Sequence, residues 1–286
     1  MRIVVNSGNI GNAVAAELAR RGLEVVLATR TPFLDGATGR LGTREVAFDP
    51  DDVATMERAL EGADVFFSVT PLVENLVEAG TKAVQAAKAA GVRRIVRSSA
   101  LASGPKAAIR LGRWHHLVER AIEASDIPFT ILRPTNFMQN YLGFGYPESV
   151  RIHGRVYSPL GAARVSMIDT RDVSAIAARV LTEAGHDGRR YELTGGEALS
   201  GDDVAGELSR ALGKPITHVT IPESKAIQAM REAGLPPWMV EMLGELNIIG
   251  KSGHLAAVKP DAEALLGRKP TPFAEFVRDH LSAFRP

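Results

Sequence analysis

The sequence predicts an α/β protein: a doubly wound parallel sheet with a smaller, mainly helical C-terminal part. Three observations predict it. Short runs of β-branched and aromatic residues, among them Ile3 to Val5 and Asp64 to Thr70, are apolar almost throughout, as strands covered on both faces are. Between them lie segments whose apolar residues recur at helical spacing. The two patterns alternate without a break, and such crossovers join parallel strands.

The first strand, Ile3 to Val5, runs into Asn6-Ser7-Gly8-Asn9-Ile10-Gly11. From Ala13 the residues Val14, Ala15, Leu18 and Ala19 take up helical spacing, and Gly22 stops it. A strand that opens a helix through a glycine turn gathers free backbone N–H groups at the positive end of the helix dipole, a setting that suits a pyrophosphate. Glycine in a short turn also serves the backbone alone, so Gly8 and Gly11 leave both readings open. The second strand, Glu24 to Thr29, ends at Arg30. An acid there would accept from a ribose 2′-OH, whereas arginine accommodates a 2′-phosphate. Arg30 lies 19 positions past Gly11 with no acid at the strand end, which favours NADP over NAD; the alternative is a solvated loop cation.

Asp35 to Arg44 is glycine-rich and reads as a mobile loop. Arg44 to Phe48 reads as a short third strand, and Asp49-Pro50-Asp51-Asp52 suits a turn and a helix start. Asp49 either accepts from an adenine amino group or orders the turn. The fourth strand, Asp64 to Thr70, stops at Pro71; strands of such a sheet present ligand groups at their carboxyl ends, so Thr70 and Pro71 are expected beside the cofactor. A helix over Val73 to Ala90 ends at Gly91, and the fifth strand, Arg93 to Ser98, empties into Ser98-Ser99-Ala100.

The helix over Leu111 to Ser125 carries Trp114, His115, His116 and Glu119. His115 and Glu119, four apart, share a face while His116 points elsewhere, so the neighbouring histidines do not address one ion and no metal is expected. His115 is either a surface histidine paired with Glu119 or a catalytic group. The sixth strand, Phe129 to Arg133, ends at Pro134 and leads through Asn136 and Phe137 to Tyr141, and the stretch to Gly145 reads as irregular. Val165 to Asp169 reads as a strand, Thr170 to Glu183 as a helix and Arg190 to Leu193 as a strand. Ser200 caps a helix that ends near Gly213, and Ile216 to Ile221 is strand-like. Glu223 to Gly250 is predominantly helical; its Met230, Trp238, Met239 and Met242 suit either an adaptable apolar site or a core. Phe273 to Phe284 closes the chain as a last helix.

Bulk properties narrow the partners. Lys+Arg 34 against Asp+Glu 33 leaves a net charge of +1, with no basic run to follow a nucleic-acid backbone. Cysteine is absent, which removes disulfides, thiolate chemistry and Cys-ligated zinc. The first residues enter a strand directly, and no apolar stretch is long enough to span a membrane, so a cytoplasmic protein is expected, as a monomer or homodimer.

Several pieces together carry a likeness: Gly-Asn-Ile-Gly at 8 to 11, Asp49, Gly91-Val92-Arg93-Arg94-Ile95-Val96 running into Ser98-Ser99, Trp114-His115 with Glu119, Ile127 to Asn140 (IPFTILRPTNFMQN), Asp172-Val173 and Tyr191-Glu192-Leu193-Thr194-Gly195. Over almost its full length the chain resembles the NmrA-like branch of the atypical short-chain dehydrogenase/reductases. The resemblance implies a Rossmann domain over 1–140, completed by 165–195, with 141–164 and 196–286 forming a substrate-binding part. It also implies reduction of quinones, dyes, imines or enones with NADPH. Related isoflavone-reductase-like enzymes have a lysine where His115 falls, so His115 is expected to donate a proton, with a pKa near neutrality. Expected to hold NADP(H) are Ser7, Gly8, Asn9, Ile10, Gly11, Arg30, Asp49, Thr70, Pro71, Ser98 and Asn136. Ser99, Phe137, Tyr141, Tyr146, Trp238 and Met242 are expected around a small apolar, conjugated substrate.

Two features depart from the pattern. The Tyr-x-x-x-Lys pair of ordinary short-chain dehydrogenases is absent. The family usually reads Thr-Gly-Ala-Thr-Gly-Asn-Ile-Gly at the first turn, whereas here Val5 leads straight to Asn6-Ser7-Gly8, about two residues and one glycine shorter. An NAD(P)H-dependent oxidoreductase is therefore the first expectation. A dinucleotide-sensing regulator and a cofactor-independent cyclase or isomerase are the alternatives.

Overall fold

The structure is a computed structural model and describes residues 1–32 and 43–285. In chain order its elements are β1 (Ile3–Asn6), α1 (Asn9–Arg20), β2 (Val25–Thr29), β3 (Arg44–Ala47), α2 (Val53–Leu60), β4 (Val65–Val69), α3 (Leu76–Ala89), β5 (Arg94–Ser98), α4 (Arg110–Glu123) and β6 (Phe129–Pro134). A 3-10 turn (Met138–Leu142), α5 (Tyr146–His153), β7 (Arg155–Ser158), α6 (Thr170–Thr182) and β8 (Arg190–Leu193) follow. The chain ends with α7 (Gly201–Leu212), β9 (Thr217–Thr220), α8 (Glu223–Glu232), α9 (Pro237–Lys251), α10 (Asp261–Leu266), α11 (Phe273–Asp279) and α12 (Leu281–Phe284).

Two units divide the chain, one of residues 1–107, 112–134 and 173–192, the other of 108–111, 135–172 and 193–286. The first is built on a seven-stranded sheet in the order β3-β2-β1-β4-β5-β6-β8. The pairs from β3 through β6 are parallel. Ile3, Val4, Val5, Phe66, Phe67, Ile95, Val96, Ile131 and Leu132 are fully buried, which is why these runs are continuously apolar. From β1 the chain winds outward through β2 and β3, then returns to β4 on the other side of β1. That reversal splays the connections leaving β1 and β4 and opens a crevice at the strands' carboxyl ends.

The helices close on the sheet through their apolar stripes. Ile10, Val14, Ala15 and Leu18 of α1 are buried, and Gly22 (φ 74°) ends its turn. At Gly11 a Cβ would stand 1.7 Å from the Asn6 carbonyl oxygen, so α1 approaches the end of β1 more closely than any side chain permits.

The second unit carries a two-stranded parallel sheet, β7 with β9, in the register Arg155↔Thr217 to Ser158↔Thr220. On it packs α7, which opens with the expected cap at Ser200: the Ser200 hydroxyl accepts from the Asp203 N–H, and the Asp203 carboxylate accepts from the Ser200 N–H. Gly213 (φ 67°) ends the helix.

The sequence reading departs from the structure at Val165 to Asp169 and in the last helix. Residues 35–42 of the expected glycine-rich loop lie outside the described residues, and Arg44 already begins β3. Val165 to Asp169 forms no strand of the sheet; it makes isolated bridges, Val165 to Leu199 and Ile168 to Phe137, and the Ser166 N–H donates to Leu255 O. Its apolar character reflects burial, not a ladder partner. Residues 143–145 are irregular as expected, and α5 and β7 follow them, separated by Gly154 (φ 61°). The last helix is broken at His280 (φ −111°) into α11 and α12.

The contact at Gly11 predicts that Gly11→Ala lowers stability by about 3 kcal/mol or more, because the obstructing atom is backbone and cannot rotate away. Gly206→Ala in α7 is the control. A Cβ there finds nothing nearer than Arg210 Nη2 at 3.9 Å, so the change is neutral or stabilising by up to about 1 kcal/mol. Urea midpoints of the two variants give the comparison.

Candidate functional site

The crevice of the first unit holds an open cleft. Asn6 and Ser7 border it from the end of β1, Ala28 and Arg30 from β2, Phe48 and Pro50 from the segment after β3, Val69 to Pro71 from β4, and Ala79 and Ala83 from α3. The turn between β1 and α1 is only Ser7-Gly8. Gly8 takes φ 124°, and among the described residues beyond its chain neighbours no atom lies within 4 Å of the position a Cβ would fill. The Ser7 N–H donates to Ala28 O at 2.8 Å, and the Gly8 N–H to Asn12 Oδ1 at 3.3 Å. Asn9, Ile10 and Gly11 form the first turn of α1, whose amides have no carbonyl one turn before them.

Arg30 is half-exposed, with Asp49 Oδ1 at 3.8 Å from its Nε and Asp51 Oδ2 at 3.9 Å from its Nη2. Both pairs are long and wet, so they orient the guanidinium loosely without consuming it. Of the two readings of Asp49, the structure displays the turn-ordering one: Oδ1 accepts from the Asp51 N–H at 3.0 Å, and the Asp49 N–H donates to Thr55 Oγ1 at 2.9 Å. The open Gly8, the apolar faces of Ala28, Phe48 and Pro50, and a cation at the end of β2 fit a dinucleotide carrying an extra phosphate.

Beside Thr70 the carboxyl ends of β4, β5 and β6 share a buried polar network. Arg97 of β5 is 0% exposed. Its Nη1 donates to Thr70 Oγ1 at 2.7 Å and to Ser68 Oγ and O at 3.3 and 3.4 Å, its Nη2 to His115 Nδ1 at 3.4 Å, and its Nε has no partner. Burial lowers the Arg97 pKa to about 10, opposed by the charge of Glu119. Glu119 is buried as well; it accepts from Ser99 Oγ at 2.5 Å, from Arg133 Nε at 3.0 Å and from Arg133 Nη2. The carboxylate in turn raises the Arg133 pKa.

This arrangement corrects the sequence reading of His115 twice. Glu119 faces Ser99 and Arg133 and makes no bond to His115, because β6 supplies a better-placed cation. Nor does His115 titrate near neutrality: burial, then the Arg97 charge, push its pKa from 6.5 to about 3. Since arginine only donates, a hydrogen bond at this contact needs His115 Nδ1 as the acceptor. Ser98 and Ser99 are both buried, and the Ser99 hydroxyl, expected near a substrate, is committed to Glu119. Arg97 and Arg133 escaped the sequence reading. Their only sign there was a cation inside an otherwise apolar strand.

The remaining expected residues belong to the second unit. Asn136 and Phe137 precede the 3-10 turn, and the Asn136 carbonyl accepts from the Ile168 N–H at 2.9 Å. The Tyr141 ring lies tilted against that of Tyr146, with centroids 4.8 Å apart, and meets Phe273 edge-on at 5.3 Å. Burial raises the pKa of both tyrosines, which keeps them protonated donors. On α9, Trp238 is partly exposed, while Met242 is fully buried, as a core side chain is. Among the described residues no helix is long and apolar enough to cross a membrane.

Comparison with known proteins places relatives beside this geometry. Residues 2–277 match the NmrA-like family. An NAD(P)H azoreductase of Xenophilus azovorans is 35% identical over 282 residues, covering 99% of this chain and 98% of the relative. A (4-alkanoyl-5-oxo-2,5-dihydrofuran-3-yl)methyl phosphate reductase of Streptomyces griseus is 34% identical, covering 98% and 97%. The crystal structure of an NADPH-dependent quinone oxidoreductase of Escherichia coli complexed with NADPH superposes with a TM-score of 0.87 at 28% identity, covering 99% of this chain and 100% of the other.

Two outcomes follow from the buried network. Glu119→Ala leaves the Arg133 charge without its partner and lowers stability by about 3–5 kcal/mol, read as a shift in urea midpoint at constant slope. For His115 the folded pKa lies below the unfolded one, so the unfolded chain takes up a proton that the folded chain refuses. Stability therefore falls as pH drops from about 6.5 toward 3. Replacing the ring by His115→Asn flattens that part of the profile, measured by midpoints at pH 7.5 and 5.5.

Proposed function

The chain belongs to the NmrA-like family, and from that premise we propose that it is an NADPH-dependent reductase of small apolar, conjugated acceptors. The observation that carries the reading is the cleft at the β1/β4 reversal, with an open glycine turn on one side and Arg30 on the other. The names of the relatives support it: an azoreductase, a reductase of an oxo-dihydrofuran and a quinone oxidoreductase all act on π-conjugated acceptors.

NADPH, when bound, supplies the hydride. The first-turn amides of Asn9, Ile10 and Gly11, with the Ser7 hydroxyl, hold the pyrophosphate at the positive end of α1. Arg30 holds the 2′-phosphate by charge-assisted hydrogen bonds, and Asp49 borders the adenine. Thr70, Pro71, Ser98 and Asn136 flank the nicotinamide end. His115 donates an Nε2–H hydrogen bond to the heteroatom that gains charge as the acceptor is reduced, a role a neutral imidazole can fill. Phe137, Tyr141, Tyr146 and Trp238 are the side chains we assign to the acceptor's apolar body.

Calorimetric titration of nucleotide-free protein tests the cofactor assignment. NADPH binds more tightly than NADH, and Arg30→Ala weakens NADPH by roughly 10- to 100-fold, the worth of one or two charge-assisted hydrogen bonds, while leaving NADH unchanged. Equal affinities for both nucleotides in the wild type and the variant would overturn it. Consumption of NADPH with quinones, enones and azo dyes reads out the reaction itself.

A further inference from the structure

A fully buried arginine is costly unless its charge and its five N–H groups are engaged, and Arg97 spends its engagement in an unusual way. The nearest acid in the network, Glu119, makes its hydrogen bonds to Arg133 and Ser99. The Arg97 fork instead reaches neutral groups: Thr70 Oγ1 and, at longer range, Ser68 through Nη1, and His115 Nδ1 through Nη2. Thr70 is itself a wall of the cleft. One rigid guanidinium therefore spans from the cleft to the helix that carries His115. Gly80 of α3 accommodates the same corner, since a Cβ there would stand 2.7 Å from a Val118 methyl and 3.1 Å from Thr70 Oγ1.

We infer that Arg97 is a positioning residue: it ties the His115 ring to Thr70 and holds it as the neutral Nε2–H tautomer, so that His115 meets its ligand as a fixed hydrogen-bond donor. A ring nitrogen facing a guanidinium N–H can only accept, which leaves the proton to Nε2. A cation in contact with the ring opposes a second proton, and burial acts in the same direction. The charged groups around the ring are Arg97 from β5 and, one helical turn further on, Glu119 of α4 with Arg133 of β6; His116 is its neighbour on α4. Glu119 is bonded to Arg133, and its carboxylate makes no hydrogen bond to the ring. Lysine could not serve in place of Arg97, because its single ammonium lacks the planar fork that reaches two acceptors in fixed directions.

The catalytic consequence rests on the proposed role of His115; the tautomer does not. Long-range 15N–1H spectra of labelled, nucleotide-free wild-type protein are expected to show His115 as the Nε2–H tautomer, with no titration between pH 5 and 8. An Nδ1–H tautomer, or a midpoint near 6.5, would overturn the inference without any variant. In Arg97→Met the midpoint is expected to rise from its wild-type value, with burial still holding it below 6.5, and the ring to populate both tautomers. If that variant does not fold, the wild-type spectrum still decides.

Turnover separates this inference from the reading it builds on. The wild-type kcat is expected to be flat from pH 5 to 8, whereas Arg97→Met loses roughly tenfold or more and its pH dependence on the acid side moves toward neutrality. Arg97→Lys retains the low midpoint but not the single tautomer. Full turnover in His115→Phe would sink the donor role and leave the spectroscopic result standing. A titrating wild-type His115 in an active reductase would sink the positioning role alone.

Discussion

A guanidinium with no access to water constrains everything around it, and Arg97 imposes that condition where β4, β5 and β6 end. The charge cannot be relieved by proton loss near neutral pH even with its pKa lowered to about 10, so neighbouring groups must turn toward it. Ser68 and Thr70 do so from β4 and the residue after it, and His115 from α4. Next to it an ion pair, Glu119 with Arg133, joins α4 to β6, and Ser99 completes the carboxylate's partners. The two arrangements together fix α4 over three strand ends, so the helix that presents His115 is located by hydrogen bonds as well as by apolar packing.

The cleft on the other side of Thr70 depends on a different constraint, the approach of backbone to backbone. Gly11 lets α1 close on the Asn6 carbonyl, and Gly8 leaves Ser7 as the one side chain of the turn. With only Ser7 and Gly8 between β1 and α1, the turn keeps the start of the helix directed at the crevice even though it lacks a glycine common in the family. The shortening has a cost in amides: Ser7 gives its N–H to Ala28 and Gly8 gives its N–H to Asn12, so phosphate recognition rests on the helix's first turn and on Arg30. A network that holds a neutral donor thus stands beside a cleft that suits an anionic cofactor.

What could be read in advance followed from local physics. The strands β1, β2, β4, β5 and β6 declared themselves because burial on both faces demands unbroken apolar runs, and Gly22, Gly91 and Gly213 marked helix ends because few other residues tolerate positive φ. Ser200 declared a cap for an equally local reason, a hydroxyl three residues before an acid. The failures had one cause in common. Val165 to Asp169 is apolar for lack of solvent, not for having a strand beside it, and β7 pairs with β9 some 60 residues away, a partner no window of sequence contains.

The sequence by itself determined the fold class, the order of β and α elements, the glycine turn and the cation at the end of β2, since each depends on a residue and its near neighbours. Only the tertiary structure decided what His115 is. Read along its helix, the ring belongs with Glu119 four residues on and titrates as histidines do; read in space, it faces Arg97 and stays neutral. Charge and burial act through distance, and the distance from Arg97 to His115 exists only once β5 has paired with β6 and α4 has been drawn down upon their ends.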